Sequence, residues 1–113
     1  MTKQELSTIL HELGIPVNEG ITSDESTNDY PRIVFWPYTE QDEMASGGGY
    51  QNVVTYQISF FARTPQHEKY KELRNRLREQ GFHPAFQHEY VEKDPVFAKT
   101  WHTYFSVDVI EEV

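Results

Sequence analysis

The sequence predicts an α+β fold: a mainly antiparallel sheet of four to five strands with two helices packed on one face. Three observations carry this. Two segments, one at the N-terminus and one after residue 64, repeat apolar residues at helical spacing. Runs around 53–63 and 97–110 alternate apolar and polar residues at the two-residue period of a strand. The order helix, short strand, two strands, helix, two strands suits helices layered on one side of a sheet.

Each element has a local cause. Thr2 followed by Glu5 is a capping box, and Leu6, Ile9, Leu10 and Leu13 repeat behind it, so a helix is expected over about 3–13. Gly14 supplies its left-handed stop. "GIPVNEG" holds a brief edge strand whose pairing Pro16 limits. "ITSDESTNDYP" is a polar, acidic loop. "RIVFWPY" is apolar on both parities, as in a strand covered on both faces.

"TEQDEMASGGGYQ" is expected to be a second long loop, with Gly47, Gly48 and Gly49 as a mobile connector. Residues 41–49 hold too little apolar area to offset the entropy of ordering them, so disorder in the free subunit is expected. From 53 to 63, Val54, Tyr56, Ile58, Phe60 and Ala62 share one face. The other face takes Val53, Thr55, Gln57, Ser59, Phe61 and Arg63. Thr64 as cap and Pro65 as first residue start a second helix that Gly81 ends, with Tyr70, Leu73 and Leu77 as its apolar stripe. Two strand-like runs follow, "HPAFQHEY" and "FAKTWHTYFSVDVI", joined through "VEKDPV", where Asp94-Pro95 favours a turn. In the last run Trp101, Thr103, Phe105, Val107 and Val109 share a face.

A length of 113 residues suits one domain spanning 1–113. The formal charge of −8 argues against a general nucleic-acid binder, which needs a basic footprint. Without cysteine there is neither a disulfide framework nor thiolate chemistry. "MTKQELSTIL" lacks a basic region followed by an apolar stretch, so no signal peptide is expected. No apolar run approaches the ~20 residues of a membrane span, and a soluble protein is expected.

Candidate chemistry fails on spacing. "GGGY" leads into a strand, whereas a phosphate loop leads into a helix. "DESTND" has oxygen ligands, but Asp29 stands at the calcium-loop glycine and Phe35 at the closing glutamate. His11, His67, His83, His88 and His102 lack the two-histidine helical spacing of a zinc hydrolase; His88 and His102, on neighbouring strands, are the conceivable pair. No G-x-S-x-G elbow marks a nucleophile. No enzyme activity, metal or cofactor is expected.

Surface character is more informative. Five of the ten basic residues, Lys69, Lys71, Arg74, Arg76 and Arg78, lie on the second helix, interleaved with Glu68, Glu72 and Glu79. A solvated helix face is the simpler reading, with Glu72 and Arg76 in the favourable i,i+4 order. Contact with an acidic neighbour is the sharper one. Residues 18–43 carry seven acids against Arg32 alone, so acidic and basic surfaces are separate, which suits head-to-tail assembly. The sheet face away from the helices should carry Val53, Phe61 and Arg63, joined by either Ile33 and Phe35 or Val34 and Trp36. Another subunit is expected to cover it.

Four stretches together carry a family resemblance: "TKQELSTILHELGIPV", "YPRIVFWPYTEQDEMASGGGYQNVVTYQISFFART", "HEKYKELRNRLREQGF" and "HEYVEKDPVFAKTWHTYFSVDV". The sequence resembles the tail terminator, or tail-completion and head-to-tail joining, proteins of long-tailed phages and prophages. The resemblance implies a ring, commonly hexameric, that ends the tail tube and joins it to the head connector. It implies the tail tube protein, the connector and further copies of the chain as partners, with DNA passing through the lumen without specific binding. Assembly in the host cytoplasm, then residence in the virion tail, would follow. It also implies long loops that order on assembly. Contact candidates are Trp36, Met44, Tyr50, Val53, Phe61, Arg63, Arg74 and Arg78. A small acidic regulatory or DNA-mimic protein is the alternative, since it too would be negative and without catalytic residues.

Overall fold

The computed structural model describes residues 1–20, 30–44, 47, 49–91 and 100–112. The expected acidic loop at 21–29 and the turn at Asp94-Pro95 lie outside them. The elements are α1 (Lys3–His11), β1 (Val17–Glu19), β2 (Arg32–Met44), β3 (Tyr50–Ala62), α2 (Glu68–Glu79), β4 (Gln87–Val91) and β5 (Thr100–Glu112). One sheet joins the five strands in the order β1-β2-β3-β5-β4, with β1 parallel to β2 and every other pair antiparallel. The fold is α+β.

Local chemistry sets the helix ends. The Thr2 hydroxyl accepts from the Glu5 amide at 3.1 Å, filling one of the donors a helix start leaves open. Past α2, the Phe82 amide bonds back to the Leu77 carbonyl and the Gly81 amide to the Arg78 carbonyl, both at 2.9 Å. That pair of bonds needs a left-handed residue, and Gly81 has φ 83°.

The core lies between the two helices and one face of the sheet. Leu6, Ile9, Leu10 and Leu13 meet Tyr70, Leu73 and Leu77 over a floor of Ile33, Phe35, Val54, Tyr56, Ile58, Phe60, Phe105, Val107 and Val109. The even-numbered face of β3 is thus the helix side, as its alternation predicts.

Three expectations need correcting. The stretch Thr39–Met44 is strand rather than loop: it pairs residue by residue with Thr55 back to Tyr50. Glutamate and aspartate are poor strand formers, but β3 is itself held by β5 out to Gln51, so it offers a preformed ladder. The chain therefore turns back between Met44 and Tyr50, which pair across a hairpin. Gly47 takes φ 97°, a conformation open to glycine at little cost. Of the nine residues expected to be disordered, Gln41–Met44 are in β2, and 45, 46 and 48 lie outside the described residues.

Second, α2 starts at Glu68 rather than Pro65. Gln66, at φ 51°, diverts the chain, and His67 becomes the cap by accepting the Lys69 amide on Nδ1 at 3.0 Å. Third, the run at 83–90 forms strand only from Gln87.

Candidate functional site: the helix-free face of the sheet

Register decides which side chains meet on the face turned away from the helices. Ile33 pairs with Phe60 and Phe35 with Ile58, so these look into the core. Arg32, Val34 and Trp36 therefore share the open face with Phe61, Ser59 and Gln57. Of the two options the sequence left, Val34 and Trp36 are the ones that join Phe61. The register then shifts between Pro37 and Thr39. Past this bulge the parity reverses: Thr39, Gln41 and Glu43 lie on the open face, and Glu40, Asp42 and Met44 on the helix side.

The face is built in rows across the strands. The first runs Arg32–Phe61–His102–Glu89 over β2, β3, β5 and β4. The second runs Asn18–Val34–Ser59–Tyr104–Gln87 over all five strands. Further out come Thr39–Thr55–Asp108 and Gln41–Val53–Ile110. Thr55 donates to Asp108 at 2.7 Å.

The first row is a stack of cations and rings. The Arg32 guanidinium lies 4.3 Å from the centre of the Phe61 ring and 4.9 Å from that of Tyr30. Arg63 covers Tyr30 at 4.5 Å. Beyond Phe61 the His102 imidazole stacks at 4.6 Å and 6°, followed by Tyr104 at 4.9 Å. His102 Nδ1 meets the Glu89 carboxylate at 2.8 Å, and Tyr104 donates to Gln87 at 2.8 Å. The contacts on Arg32 use the faces of rings rather than its N–H edges.

Those edges are the unusual feature. Arg32 is only 7% exposed, yet its Nε and Nη1 are buried without a hydrogen-bond partner among the described residues. So are Ser59 Oγ in a fully buried residue, His102 Nε2 and Asn18 Nδ2. All four residues lie on the first two rows. A buried polar group left unpaired costs about 1–3 kcal/mol, more when charged. Native folds tolerate few of these, and here four residues that carry them share one sheet face.

The contact candidates from sequence fall into three places. Trp36, Val53 and Phe61 lie on the helix-free face and are half-buried, with Arg63 at its edge over Tyr30. Met44 and Tyr50 pair across the hairpin tip, 73% and 59% exposed. Arg74 and Arg78 lie on α2, apart from the rest; Arg74 sits over the Tyr70 ring at 5.7 Å and Arg78 is exposed. The basic helix is partly neutralised within the chain. Glu72 takes Lys69 and Arg76, each at 3.3 Å, and Arg76 also reaches Glu12 beyond the end of α1. The hydrogen bond from Lys69, helped by the charges of Lys69 and Arg76 and opposed by desolvation, holds Glu72 below the ordinary glutamate range.

His88 and His102 lie on opposite faces. His88 packs edge-on to Tyr70 on the helix side and bonds Thr103 at 2.8 Å, while His102 belongs to the open face. They do not converge. Among the described residues no group of three or more histidines or acids is placed to hold a metal ion, and no helix is long and apolar enough to cross a membrane. Sequence reasoning singled out Phe61 but missed Arg32, Ser59 and Asn18. The available signal for Arg32 was its place as the one base in an acidic stretch.

No family model and no curated protein matches the chain. Among solved structures, a chain from the virion of a native gene transfer agent particle matches at 11% identity and a TM-score of 0.47, covering 93% of this chain and 86% of that one. Likeness at that level leaves the functional reading to the surface itself.

Proposed function

We propose that this chain is a virion structural subunit of a phage or prophage, of the tail terminator or tail-completion type. It joins copies of itself into a ring between tail tube and head connector, by contacts and without catalysis. One observation carries the reading: an otherwise packed sheet keeps a helix-free face on which buried Arg32, Ser59, His102 and Asn18 atoms lack partners among the described residues. A protein that functions alone gains nothing from such a face, whereas an assembly subunit completes it on docking. The resemblance of four stretches to tail-completion proteins supplies the kind of assembly.

The hairpin of β2 and β3 fits this role as a projecting arm. The molecule measures 57 × 27 × 22 Å, elongated as 13-residue strands require. Negative-stain microscopy of concentrated protein, with and without tail tubes, tests the proposal. Rings at one end of the tubes are expected. Monomers in both samples, with bare tube ends, would refute it.

A second reading, an acidic regulatory or DNA-mimic protein, is favoured by the arm itself. Glu40, Asp42, Glu43 and Asp108 lie there, and no base occurs in residues 38–54 or 104–110. It predicts a stable complex with a nuclease or repressor and no affinity for tail tubes, so the same tube experiment separates the two.

A further inference from the structure

We infer that the cavity at the start of α2 is the hole for an aromatic knob, Tyr50 at the hairpin tip of a second copy of this chain. The inference deepens the proposed assembly by naming a contact, and rests on that reading for the presence of further copies.

The cavity has a cause in the path of the chain. Thr64-Pro65 would start a helix directly after β3, but Gln66, at φ 51°, delays α2 to Glu68. Between this turn and the ends of the strands lies a cavity of about 170 Å³. Phe60, Ala62 and Tyr70, each no more than 3% exposed, form its floor, with half-buried Trp101 as a wall. It reaches the surface at Thr64, Gln66 and His88, which are exposed. Tyr70 stands edge-on to His88 at 5.2 Å and tilted to Phe60 at 6.4 Å, so the rings frame the space rather than fill it. An apolar cavity of about 150 Å³ holds benzene, and this one has room for a single ring and little more. The apolar floor suits the body of a neutral ring, and the polar residues at the mouth suit one hydroxyl on it.

The chain carries such a ring at the other end of the same sheet. Tyr50 is 59% exposed at the hairpin tip and pairs with Met44, 73% exposed. Of the other exposed tyrosines, Tyr38 lies midway along the arm at the bulge, and Tyr90 packs on Trp101 at 5.1 Å. Tyr50 is the one placed to project. A tyrosine anchors well because its stiff ring buries a large area at small entropic cost. Tyr50 cannot fill the hole of its own chain. It begins β3, whereas Ala62 on the cavity floor ends it, about 40 Å away at strand rise. A knob seated in a neighbour's hole leaves one knob and one hole free, so the contact is head-to-tail and repeats.

Two variants of the full chain test this. Tyr50→Ser removes the knob at an exposed position, and Ala62→Leu fills the hole from its floor. Self-association is followed by sedimentation velocity across concentration and by ring formation on tail tubes, with circular dichroism as the folding control. Each variant alone is expected to associate about 30-fold more weakly than the parent, the loss of one aromatic anchor. An equimolar mixture should recover pairs and nothing larger, because one intact knob meets one open hole and both remaining ends are blocked. The free side-chain analogue p-cresol probes the hole directly, and keeps the test open even if Ala62→Leu does not fold. Titrated to millimolar concentration into dilute parent, it should shift the imidazole NMR signals of His67 and His88, which line the cavity, and leave His102 on the opposite face unmoved. Parental association by a folded variant would overturn the inference. So would a mixture no better than its components, or His67 and His88 signals that ignore p-cresol.

The outcomes separate it from the broader reading. Intact rings built by Tyr50→Ser would leave the ring and remove the knob. A parent that forms open chains without closing them, lost in both variants, would keep the knob and remove the ring. A parent monomeric in solution and on tubes would remove both, whatever p-cresol does.

Discussion

Replacing Phe61 by leucine isolates the stack on the open face. Leucine keeps most of the apolar cover over the sheet but removes the π-surface beneath Arg32 and beside His102. The guanidinium lies 4.3 Å from the ring centre in a residue only 7% exposed, where a cation–π contact is worth about 1–2 kcal/mol. The near-parallel imidazole at 4.6 Å adds about 0.5–1 kcal/mol. Together they predict a loss of about 2 kcal/mol, or roughly 8 °C in midpoint for a chain of this size. Urea unfolding followed by circular dichroism measures it, at concentrations where the protein is monomeric. A cycle with Arg32→Met should return a coupling of about 1 kcal/mol between the two side chains. The neighbouring position gives the contrast: Phe60, 1% exposed in the core, should cost about 3–5 kcal/mol when cut to alanine. Phe61→Leu within about 0.5 kcal/mol of the parent, with no coupling to Arg32, would refute the energetic role given to the stack.

Gly47→Ala meets no atom within 4 Å, so its cost of about 1–2 kcal/mol should come from the left-handed backbone alone; hydrogen exchange should speed up at Gln41–Met44 while core amides keep their rates. In the unaltered free protein the alternate amides of Gln41–Met44 that bond across to β3 should be protected, because they lie in paired strand. His67→Ala should cost about 0.5–2 kcal/mol through loss of the α2 cap, and His67→Ser should recover part of it, both read from thermal midpoints. Glu72 is held below the ordinary glutamate range, so its contribution is present above the unfolded-state value and lost as pH falls through the folded one. The stability gap between parent and Glu72→Gln, measured by urea midpoints from neutral pH downwards, should therefore close in acid below that range.

How much of this was legible from sequence depended on whether a strand had one apolar parity or two. From Val54 to Ala62 on β3 the even positions alone are consistently apolar, and the structure buries Val54, Tyr56, Ile58, Phe60 and Ala62 together. On β2, Ile33, Val34, Phe35 and Trp36 offer both parities, so only pairing could choose. The bulge near Tyr38 then reverses the choice, and no composition signal announces it. The acidic run Glu40–Glu43 reads as loop because its residues are weak strand formers. It is strand because β3 holds it there, a tertiary cause that a local reading omits. Thr64-Pro65 is a fair helix start by pattern, overridden where Gln66 takes a positive φ.

The cluster on the open face was harder to see than the fold for a related reason. Arg32, Ser59 and Asn18 are unremarkable singly, and they come together only through the pairing of β1, β2 and β3. Charge counting pointed instead to α2, with half of the basic residues. The structure weakens that choice, since Lys69 and Arg76 already answer Glu72 and Glu12, and Arg74 lies against Tyr70. Exposed surface pairs of this kind contribute little to stability or to binding. Arg32 has both Nε and Nη1 buried without a partner among the described residues, where Arg74 and Arg76 each have Nε alone, so its burial is the more costly. Among the described residues, five buried unpartnered side-chain atoms lie on the sheet and two on α2, so unmet polar demand and the number of charges point to different surfaces.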